Sequence, residues 1–565
     1  KKSATGRGSS KKIELYGIKK LRELILELAV RGKLVPQDPT DEPASELLKR
    51  IKAEKAQLTK DKKIRKTKTF PEISEDETPF KIPSNWSFIR FIDVLDFSGG
   101  GQPPKSVFSD VKLDGYVQLI QIRDLGPKPQ PVYIPKDKAS KFCTKDDVMV
   151  GRYGASVGKV FWGKEGAYNV ALIRIHNDFN AYVNSYIFNL LKSPIGQNLF
   201  TGISRSAQDG FNKDDIAPSL LPLPPLKEQQ RIVTKVDELM ALCDQLESQT
   251  ESSLEAHETL VQVLLSTLTD SKNSEELNKN WQRVSEYFDT LFTTEQSIDQ
   301  LKQTILQLAV MGKLVPQSSN DEPASVLLEK IAEEKAQLIK DKKIKKQKPL
   351  PPISDEEKPF TLPCGWEWCY LDDVALSSSA GWSPQCLPTS REGHNWGVLK
   401  VSAVSWGEFR SEENKELPSH LAAKPEFEVM PNDFLISRAN TVELVARAVI
   451  APFDVPSKLI MSDKIIRFKF SDYADPNFLN IVNNSKFSRI YYEQVAGGTS
   501  SSMKNVSREQ IRKLLVALPS LVEQRAIVSK VSSLMGLCEH LKTSISNAQT
   551  TQLNLTDAIV NSTMN

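Results

Sequence analysis

The chain has few of the residues that build metal sites and disulfides. Its 565 residues include only six cysteines and five histidines. No two cysteines form a Cys-x-x-Cys pair, and they lie scattered at Cys143, Cys243, Cys364, Cys369, Cys386 and Cys538. This spacing argues against a zinc site and against a disulfide framework. We therefore expect no metal ligands and a reducing cytosol as the compartment.

Long apolar runs and catalytic motifs are missing as well. No apolar stretch has the length of a membrane span, so we expect neither a span nor a secretory signal. The nearest approach to a nucleotide-binding loop, Gly154-x-x-x-Gly158-Lys159, has the wrong spacing. A dinucleotide fingerprint, an amino-group methylation motif, a nucleophile elbow and a zinc-protease motif are all lacking. This predicts a recognition or scaffolding protein with no catalytic residue and no cofactor of its own.

Charge of either sign is not in excess. Lysine and arginine number 74 against 71 aspartates and glutamates, which gives a net charge of +3. Residues 81–225 carry about +4 and residues 361–520 about −1. Bulk charge therefore provides no attractive field for nucleic acid, and any such field must be arranged locally.

What the sequence does contain is a repeat. Residues 21–94 recur at 301–374 without a gap, and 42 of the 74 positions are identical. A second pair of copies, 220–246 and 515–541, follows at an offset of 295 residues. The segments between the copies, about 95–210 and 375–505, match each other poorly. Two similar frames around two different inserts indicate a protein that recognises two different things with one geometry.

Each frame begins with a pair of predicted helices. Apolar residues at helical spacing predict a helix over 13–31 and a second one from Ala44, and the second pattern returns at 324–348. Each second helix runs into a lysine-rich tail, of which the first is KDKKIRKTK at 60–68. Two interpretations of the tails stay open: a solvated helix end, or an arm that contacts the phosphates of a duplex without recognising its sequence.

The inserts have the pattern of mixed strands and helices. The first has strand-like segments separated by glycine turns and then a helix, at 116–122, 147–153, 159–162, 168–175 and 184–193. The second has a related order, at 396–404, 433–439, 446–451, 464–470 and 478–487. Aligning 147–152 with 433–438 places Arg152 opposite Arg438. The two inserts are therefore predicted to share a plan while differing in their surface residues.

A long heptad pattern follows each insert. Steps of three and four residues alternate over more than four heptads, which is typical of a supercoiled helix pair. The predicted seam residues are Ile232, Val236, Leu239, Leu246 and Leu260 on the first helix and Ile527, Val531, Leu534, Leu541 and Leu555 on the second. Each strip would extend about 50 Å. The obvious partner of each strip is the other, and antiparallel pairing would hold one insert at each end. His257 is interpreted as a seam residue that sets the register of the pair.

These patterns predict an α+β fold with a pseudo-two-fold internal repeat, in which two long antiparallel coiled-coil helices separate two α/β domains. The predicted divisions are an N-terminal helical region, a first recognition domain, a central helical region, a second recognition domain and a C-terminal helix. They span 1–80, 81–225, 226–360, 361–520 and 521–565.

The repeated motifs together resemble the specificity subunit of Type I restriction–modification enzymes. They are the proline-rich LKEQQRIV exit ending at Val233 with its copy ending at Val528, the IPSNW and LPCGW segments at Trp86 and Trp366, the AVRGKLVPQ and AVMGKLVPQ helices, and the loop GGTSSSMKNVS at 497–507. The resemblance covers nearly the whole chain from about residue 13. The corresponding loop of the first insert, 202–215, lacks the Thr-Ser-Ser-Ser-Met run.

This resemblance implies a non-catalytic, DNA-binding subunit of the bacterial cytoplasm. Each target-recognition domain would bind one half of a bipartite, asymmetric DNA sequence, and the paired helices would set the gap between the halves. The helices would also dock two methyltransferase subunits, which carry S-adenosylmethionine and methylate adenine N6. Motor-nuclease subunits, with ATP and Mg²⁺, would complete a defence against foreign DNA. No membrane partner is implied.

Candidate contacts follow from the chemistry of base recognition. Arg and Lys suit guanine, Asn and Gln suit adenine, and short hydroxyls suit phosphates or either base. In the first domain the candidates are Lys105, Arg123, Arg152, Tyr153, Ser204, Arg205, Ser206 and Gln208, and the glycines at 99–101 would let the backbone approach a phosphate. In the second they are Trp382, Lys400, Arg438, Asn440, Thr499, Ser500, Ser501, Ser502, Lys504 and Asn505. The alternative for each is a loop residue held by local hydrogen bonds, or for Trp382 a core position.

Two other functions stay open at this point. A self-contained DNA methyltransferase or nuclease with diverged motifs would act without partners. A coiled-coil scaffold with no nucleic-acid role would show no salt-dependent binding to DNA.

Overall fold

A computed structural model describes residues 15–64, 70–201, 211–405, 407–500 and 503–564. It forms two compact units. The first comprises the described residues up to Ser253 together with those from Thr550 onward, and the second is Leu254–Gln549. Within the described ranges, no helix combines the length and the apolar character needed to cross a membrane.

The first unit mixes helices and short strands. Its elements in chain order are α1 (Tyr16–Val30), α2 (Ala44–Lys60), β1 (Ser87–Arg90), α3 (Phe91–Val94), β2 (Asp96–Gly99), β3 (Tyr116–Ile120), β4 (Tyr133–Pro135), β5 (Phe142–Cys143), β6 (Val148–Gly151), β7 (Val160–Trp162), β8 (Gly166–Tyr168), β9 (Leu172–His176), α4 (Asn184–Lys192), α5 (Pro194–Asn198), α6 (Lys213–Ile216), β10 (Leu220–Leu223) and the start of α7 (Leu226–Asp270). The strands form sheets of order β2-β9-β6-β7 and β4-β3-β8-β5, and β1 pairs with β10.

The second unit has a similar sequence of elements. They are α8 (Ser274–Glu286), α9 (Phe288–Leu291), α10 (Glu295–Val310), α11 (Ala324–Lys340), β11 (Glu367–Tyr370), α12 (Leu371–Val374), β12 (Ala375–Ala380), β13 (Gly397–Leu399), β14 (Asn414–Glu416), β15 (Phe434–Ser437), β16 (Ala439–Asn440), β17 (Ala448–Ile450), β18 (Leu459–Met461), β19 (Ile465–Phe470), α13 (Pro476–Asn484), α14 (Lys486–Val495), β20 (Gly497–Ser500), β21 (Met503–Asn505), α15 (Arg508–Arg512), β22 (Leu515–Leu518) and most of α16 (Leu521–Met564). The sheets are β12-β19-β15-β17, β14-β13-β18, β16-β21-β20 and β11-β22.

The internal repeat is confirmed by matching sheets. The order β2-β9-β6-β7 in the first unit corresponds to β12-β19-β15-β17 in the second. The middle strands β6 and β15 are buried at every residue, which suits the apolar runs VMVG and FLIS because both faces of the strand are covered. In each unit an antiparallel pair, β1–β10 or β11–β22, closes the sheet-rich domain next to the long helix. The fold is thus mixed helix and sheet, with the long helix α7 between two sheet-rich domains.

A buried glutamine at the start of each long helix ties the helix to its domain. In the first unit the Gln229 Oε1 accepts from the Val183 N–H at 2.7 Å, and its Nε2 donates to the Ala181 carbonyl at 3.0 Å. In the second unit the Gln524 Oε1 accepts from the Asp475 N–H at 2.8 Å. The LKEQQ and LVEQR motifs therefore supply the same connection twice, which fixes each domain on its frame.

The first half of each heptad strip packs inside its own unit. Ile232 and Val236 share a core with α1, and Ile527 and Val531 share a core with α10. Repeated ion pairs accompany this packing, since Arg22 contacts Asp244 at 2.6 Å while Lys302 contacts Glu539 at the equivalent positions. Leu239, Leu534 and Leu541 pack against the same two cores. Each strip therefore has partners within its own unit that the sequence did not reveal, and the antiparallel pairing of the two strips stays a prediction.

The second half of the predicted seam is also in the wrong register. Leu246, Leu260 and Leu555 are 47%, 50% and 58% exposed, whereas Val261, Leu265 and Leu268 are buried. Eight turns of a straight α-helix advance about 29 residues, against 28 for a strict heptad. Counting on from Ile232, the heptad arrives at Leu260 while the straight helix arrives at Val261. The His257 Nε2 lies 3.2 Å from the Thr290 carbonyl, so this side chain contacts the α9 region of its own unit.

Candidate nucleic-acid interface

The two aligned arginines occupy equivalent positions at the end of a buried middle strand. The Arg152 N–H donates to the Ala171 carbonyl, just before β9, at 2.9 Å, and the Arg438 N–H donates to the Lys464 carbonyl, just before β19, at 2.8 Å. The backbones of the two residues are therefore placed in the same way, although their domains have little sequence in common. The predicted alignment of 147–152 with 433–438 is confirmed.

In the second domain, the structure brings several candidates together on one small sheet. Strand β16 pairs with β21 so that Ala439 lies opposite Asn505 and Asn440 opposite Lys504. Strand β20, which includes Thr499 and Ser500, pairs with the other edge of β21. The Val506 N–H donates to the Arg438 carbonyl at 2.9 Å, which extends the connection by one residue. Residues separated by more than 60 positions in sequence thus form a single surface.

The side chains of this sheet differ in how far they are held by local bonds. The Asn440 Nδ2 donates to the Ser405 Oγ at 3.0 Å, and the Lys504 Nζ donates to the Gly498 carbonyl at 2.7 Å. Asn505 is exposed. The Arg438 Nε is enclosed and has no hydrogen-bond partner within the part of the chain that the structure describes. An enclosed guanidinium nitrogen without a partner is costly, so Arg438 stays a candidate contact.

Two further arginines lie on or against the loop that leaves β16, and neither was a candidate from the sequence. Arg447 ends the loop that leaves β16, and its carbonyl accepts from the Ser437 N–H at 2.9 Å. The Arg489 guanidinium, on α14, donates to the Val445 carbonyl of the same loop and is only 8% exposed. Burial, followed by the charge of Arg447, lowers the pKa of Arg489 to about 10. The segment ARAVIA had been interpreted only as a strand, and nothing in it signals a contact with a helix 40 residues later.

Two candidates of the second domain are held elsewhere. Trp382 packs on a separate small core around Val398, and the Lys424 Nζ lies 4.6 Å from its ring centre. The Lys400 Nζ forms an ion pair with Glu413 at 3.3 Å. Both side chains therefore have local partners, as the alternative interpretation expected. For Trp382 that alternative was a position in the core.

In the first domain, the structure describes four of the candidates. The Arg152 Nε donates to the Phe211 carbonyl at 3.0 Å, and its guanidinium lies 5.2 Å from the ring centre of Tyr153. Lys105 and Arg123 are exposed on short 3₁₀ turns. Ser204, Arg205, Ser206 and Gln208 lie outside the described residues, as do Ser501 and Ser502 of the second domain.

Two of the glycines at 99–101 lie against other segments of the chain. A Cβ on Gly100 would lie 2.2 Å from the Tyr168 and Asn169 carbonyl oxygens, and one on Gly101 would lie 2.4 Å from the Ser140 Oγ. The Gly101 N–H donates to the Tyr168 carbonyl at 3.0 Å. Gly100 and Gly101 are needed because the chain itself passes close by, and the approach of a phosphate to this backbone stays a prediction.

Two acidic pairs in the first domain, Asp146-Asp147 and Asp214-Asp215, each contribute a carboxylate to the local structure. The Asp147 Oδ2 accepts from the Thr144 N–H at 2.7 Å, and Asp215 takes part in the capping of α6 by Asn212. Across the described ranges, no three Cys, His, Asp or Glu residues converge in a way that would hold a metal ion.

The repeated frame and its two unlike sheet domains define a chain that carries two recognition modules, and comparisons with known proteins agree. A family model described as the Type I restriction modification DNA specificity domain matches residues 83–256. The chain is 44% identical over 581 residues to the EcoEI specificity subunit of Escherichia coli, aligned over 100% of this chain and 97% of that protein. It is 42% identical over 583 residues to the EcoAI specificity subunit of Escherichia coli, with the same coverage. The chain belongs to the family of Type I restriction enzyme specificity subunits.

A solved structure supports the fold. One chain from work on the complex assembly and conformational transition of the type I R-M system aligns with a TM-score of 0.51 and 17% identity. The alignment covers 86% of this chain and 99% of that one.

Proposed function

We propose that this chain selects the DNA target of a Type I restriction–modification complex, with each sheet-rich domain recognising one half of an asymmetric, bipartite sequence. The observation that carries the proposal is the pair of matching sheets whose rims carry different side chains. In the second domain the rim is formed by the end of β15 and the small sheet β16-β21-β20, and it carries Arg438, Asn440, Lys504 and Asn505. In the first domain the equivalent rim, at the end of β6, carries Arg152 beside Tyr153. Two domains with the same sheet but different contact residues fit a target whose halves differ, because a protein with two identical DNA-binding domains would favour a palindromic sequence.

The chemistry of the second rim fits base recognition in a major groove. Asn505 offers an amide that suits adenine, and Arg438 offers a guanidinium that suits guanine. Arg447 and Arg489 add positive charge at the loop that leaves β16, in a domain with about 18 acidic residues against 17 basic ones. The field that the bulk charge lacks is thus arranged locally.

The assembled complex supplies the catalysis in this proposal. Two methyltransferase subunits bring S-adenosylmethionine and methylate adenine N6, and motor-nuclease subunits bring the ATP- and Mg²⁺-dependent cleavage. The present chain contributes no catalytic residue and acts in the bacterial cytoplasm. The long helices dock the methyltransferase subunits and set the gap between the half-sites.

The central test maps methylated adenines in a host that expresses this chain with its methyltransferase subunits. We expect one split motif with two different halves. The Asn505→Ala variant should relax recognition in one half only, at a cost of about 1–3 kcal/mol, because the amide is exposed on the rim. The Asn278→Ala variant, on the exposed face of α8, is the matched control and should leave both halves unchanged.

The first domain is tested by Arg123→Ala in the same assay. Among the described residues, the hydrogen bonding of this exposed side chain is limited to a weak bond with Gln130 at 3.5 Å, so its loss should not disturb the fold. We expect relaxed recognition in the other half of the motif. An unchanged motif in either variant would reject that residue assignment. A wild-type complex that methylates without a split motif would reject the function itself, and methyl transfer by the purified chain alone would favour a self-contained methyltransferase.

A further inference from the structure

The segment that follows α11 is a dense run of positive charge, here called the lysine corner and defined as residues 340–348. It contains six lysines and one aspartate. Its copy in the first frame, 60–68, keeps a positive residue at all six positions, and the structure describes 60–64 of it. The frames thus preserve this charge while the inserts between them have diverged.

The start of the lysine corner has the same backbone hydrogen bonds as the described start of its copy, 60–64. The Lys343 and Ile344 N–H groups donate to the Leu338 carbonyl at 2.9 and 3.3 Å, which wraps the chain around the end of α11. In the first unit the Lys63 and Ile64 N–H groups donate in the same way to the Leu58 carbonyl, at 2.9 and 3.4 Å. Backbone hydrogen bonds therefore define this turn at the end of the helix.

The turn holds a lysine where a glycine would be more relaxed. Lys342 and Lys62 both have φ of 57°, in the left-handed region that disfavours side chains with a Cβ. Helices usually end with glycine or asparagine at this position. Strain of this kind persists where the surrounding structure enforces it, and it clusters at functional sites. Its occurrence in both copies indicates that the cation at this corner has a use.

The lysines of the corner are not neutralised by the described part of the chain. Lys343 has a loose ion pair with Asp341, at 3.9 Å. The remaining five have no carboxylate within ion-pair distance among the described residues, and all five are exposed: Lys340, Lys342, Lys345, Lys346 and Lys348.

Two of these lysines line an open cleft of about 640 Å³. Lys346 and Lys348 lie on its wall, with Lys335 and Lys358 nearby. Three acidic residues line the cleft as well. The Asp372 carboxylate is bound by Arg512 at 2.7 and 2.8 Å, the Asp373 carboxylate accepts from the Tyr370 N–H at 2.8 Å, and Glu367 is exposed. The cleft therefore presents four lysines beside three acids, two of which already have partners.

We propose that the lysine corner binds backbone phosphates of the DNA target, an inference that rests on the proposed function. Lysine is depleted in protein–protein interfaces, whereas it is a common phosphate contact that carries no sequence information. Phosphates are alike in both half-sites, which explains why the corner is preserved in both frames while the base-recognising inserts differ. The corner would then fix the register of each unit on the duplex.

The test measures the salt dependence of DNA binding by the complex with methyltransferase subunits. The Lys346→Gln/Lys348→Gln variant is compared with wild type on the mapped target duplex and on an unrelated duplex. Each phosphate contact contributes about 0.9 to the slope of log K against log salt, so we expect the slope to fall by about 2. Affinity for both duplexes should fall by the same factor, and the methylated motif should not change. The control is the Lys272→Gln/Lys279→Gln variant, which has the same net charge as the corner variant but loses two exposed lysines near α8 instead. Its salt dependence should match that of wild type.

Each alternative has its own outcome. A wild-type slope in the corner variant, with the target still bound, overturns the inference and leaves the proposed function intact. Loss of methyltransferase subunits from the variant complex would instead identify the corner as a protein-docking surface. Saturable binding of inorganic phosphate to wild type, lost in the variant without any change in the DNA slope, would identify a free-anion site and also overturn the inference. A wild-type complex that binds no target would reject the proposed function first.

Discussion

At the scale of single residues, a buried glutamate at the start of each long helix accepts a hydrogen bond from a glutamine of its frame, and in the second unit also from a tryptophan. The Trp366 Nε1 donates to the Glu523 Oε2 at 3.0 Å, and the Gln317 Nε2 donates to the Glu523 Oε1 at 3.2 Å. In the first unit, Gln37 donates to Glu228 at 2.7 Å. The LPCGW, KLVPQ and LVEQR motifs thus meet at one buried carboxylate. This meeting explains why three separate motifs recur together.

The buried carboxylate predicts a pH dependence of stability. Burial raises the pKa of Glu523 above its ordinary value of 4.5, and this effect outweighs the hydrogen bonds from Gln317 and Trp366. Between the ordinary and the raised value, the folded chain holds a proton that the unfolded chain has released. Wild-type stability should therefore fall as the pH rises through this window. The Glu523→Gln variant cannot titrate there, so its urea midpoint between about pH 4.5 and 7 should decline less than that of wild type.

The control for this prediction is Glu509→Gln, which removes an exposed carboxylate from α15 of the same unit. Its pH profile should follow wild type. Parallel profiles for wild type and Glu523→Gln would show that the buried carboxylate does not contribute to the pH dependence.

The glycine that ends α10 predicts a large effect of one methyl group. Gly312 has φ of 67°, and a Cβ there would lie 2.6 Å from the Pro363 Cγ and 3.0 Å from the Trp366 Cζ2. We expect Gly312→Ala to lower the free energy of unfolding by about 2 kcal/mol or more, measured by urea unfolding of the purified chain. Gly365→Ala separates the two causes, because that residue has φ of 84° but open space around its Cβ. It should cost about 1 kcal/mol, and equal losses would argue against the clash.

At this scale the sequence predicted where residues lie along their strands better than which residues they contact. Arg152 and Arg438 were aligned correctly because the apolar strands before them set the frame. The ion pair of Lys400 with Glu413 and the enclosure of Gly100 depend on chain segments that approach only in the folded state. No local pattern encodes such contacts.

At the scale of elements, the one-residue shift of the apolar stripe on α7 makes a direct prediction. Val261 is 1% exposed and packs with α8, α9 and α10, whereas the adjacent Leu260 is 50% exposed. We expect Val261→Ala to cost about 1–3 kcal/mol, because it removes two buried methyl groups. Leu260→Ala should change stability by less than about 0.5 kcal/mol, although it removes more atoms. Urea unfolding decides between the positions, and the reverse ranking would restore the strict heptad.

Elements with strong local periodicity were predicted well. The helix over 184–193 and the strands at 147–153 and 159–162 appear as α4, β6 and β7 with shorter bounds. The small sheet β16-β21-β20 was not predicted, because its strands are two to four residues long and pair across more than 60 residues. A strand that short has no periodicity of its own. The arrangement of residues at the rim of the second domain could therefore not be predicted from the sequence and was seen only in the folded structure.

At the scale of the whole molecule, two long helices pass between the two units along the chain. Helix α7 supplies residues up to Ser253 to the first unit and from Leu254 to the second, while α16 changes unit between Gln549 and Thr550. These crossing points occur after nearly the same number of residues in each helix. The first half of each helix is committed to its own core, so any length added at the crossing points should leave both cores intact.

The role of the long helices as a spacer predicts a change of target on insertion. Seven residues added after Ser253 and seven after Gln549 lengthen each helix by about 10 Å and preserve the apolar stripe within about 20°. At about 3.4 Å per base pair along one strand, this corresponds to three base pairs. We expect the methylated motif to keep both halves while its gap grows by about three. Insertion into α7 alone should abolish methylation, because two helices of unequal length that pair as predicted could not both stay in register. A gap unchanged by the double insertion would show that something other than these helices sets the distance between half-sites.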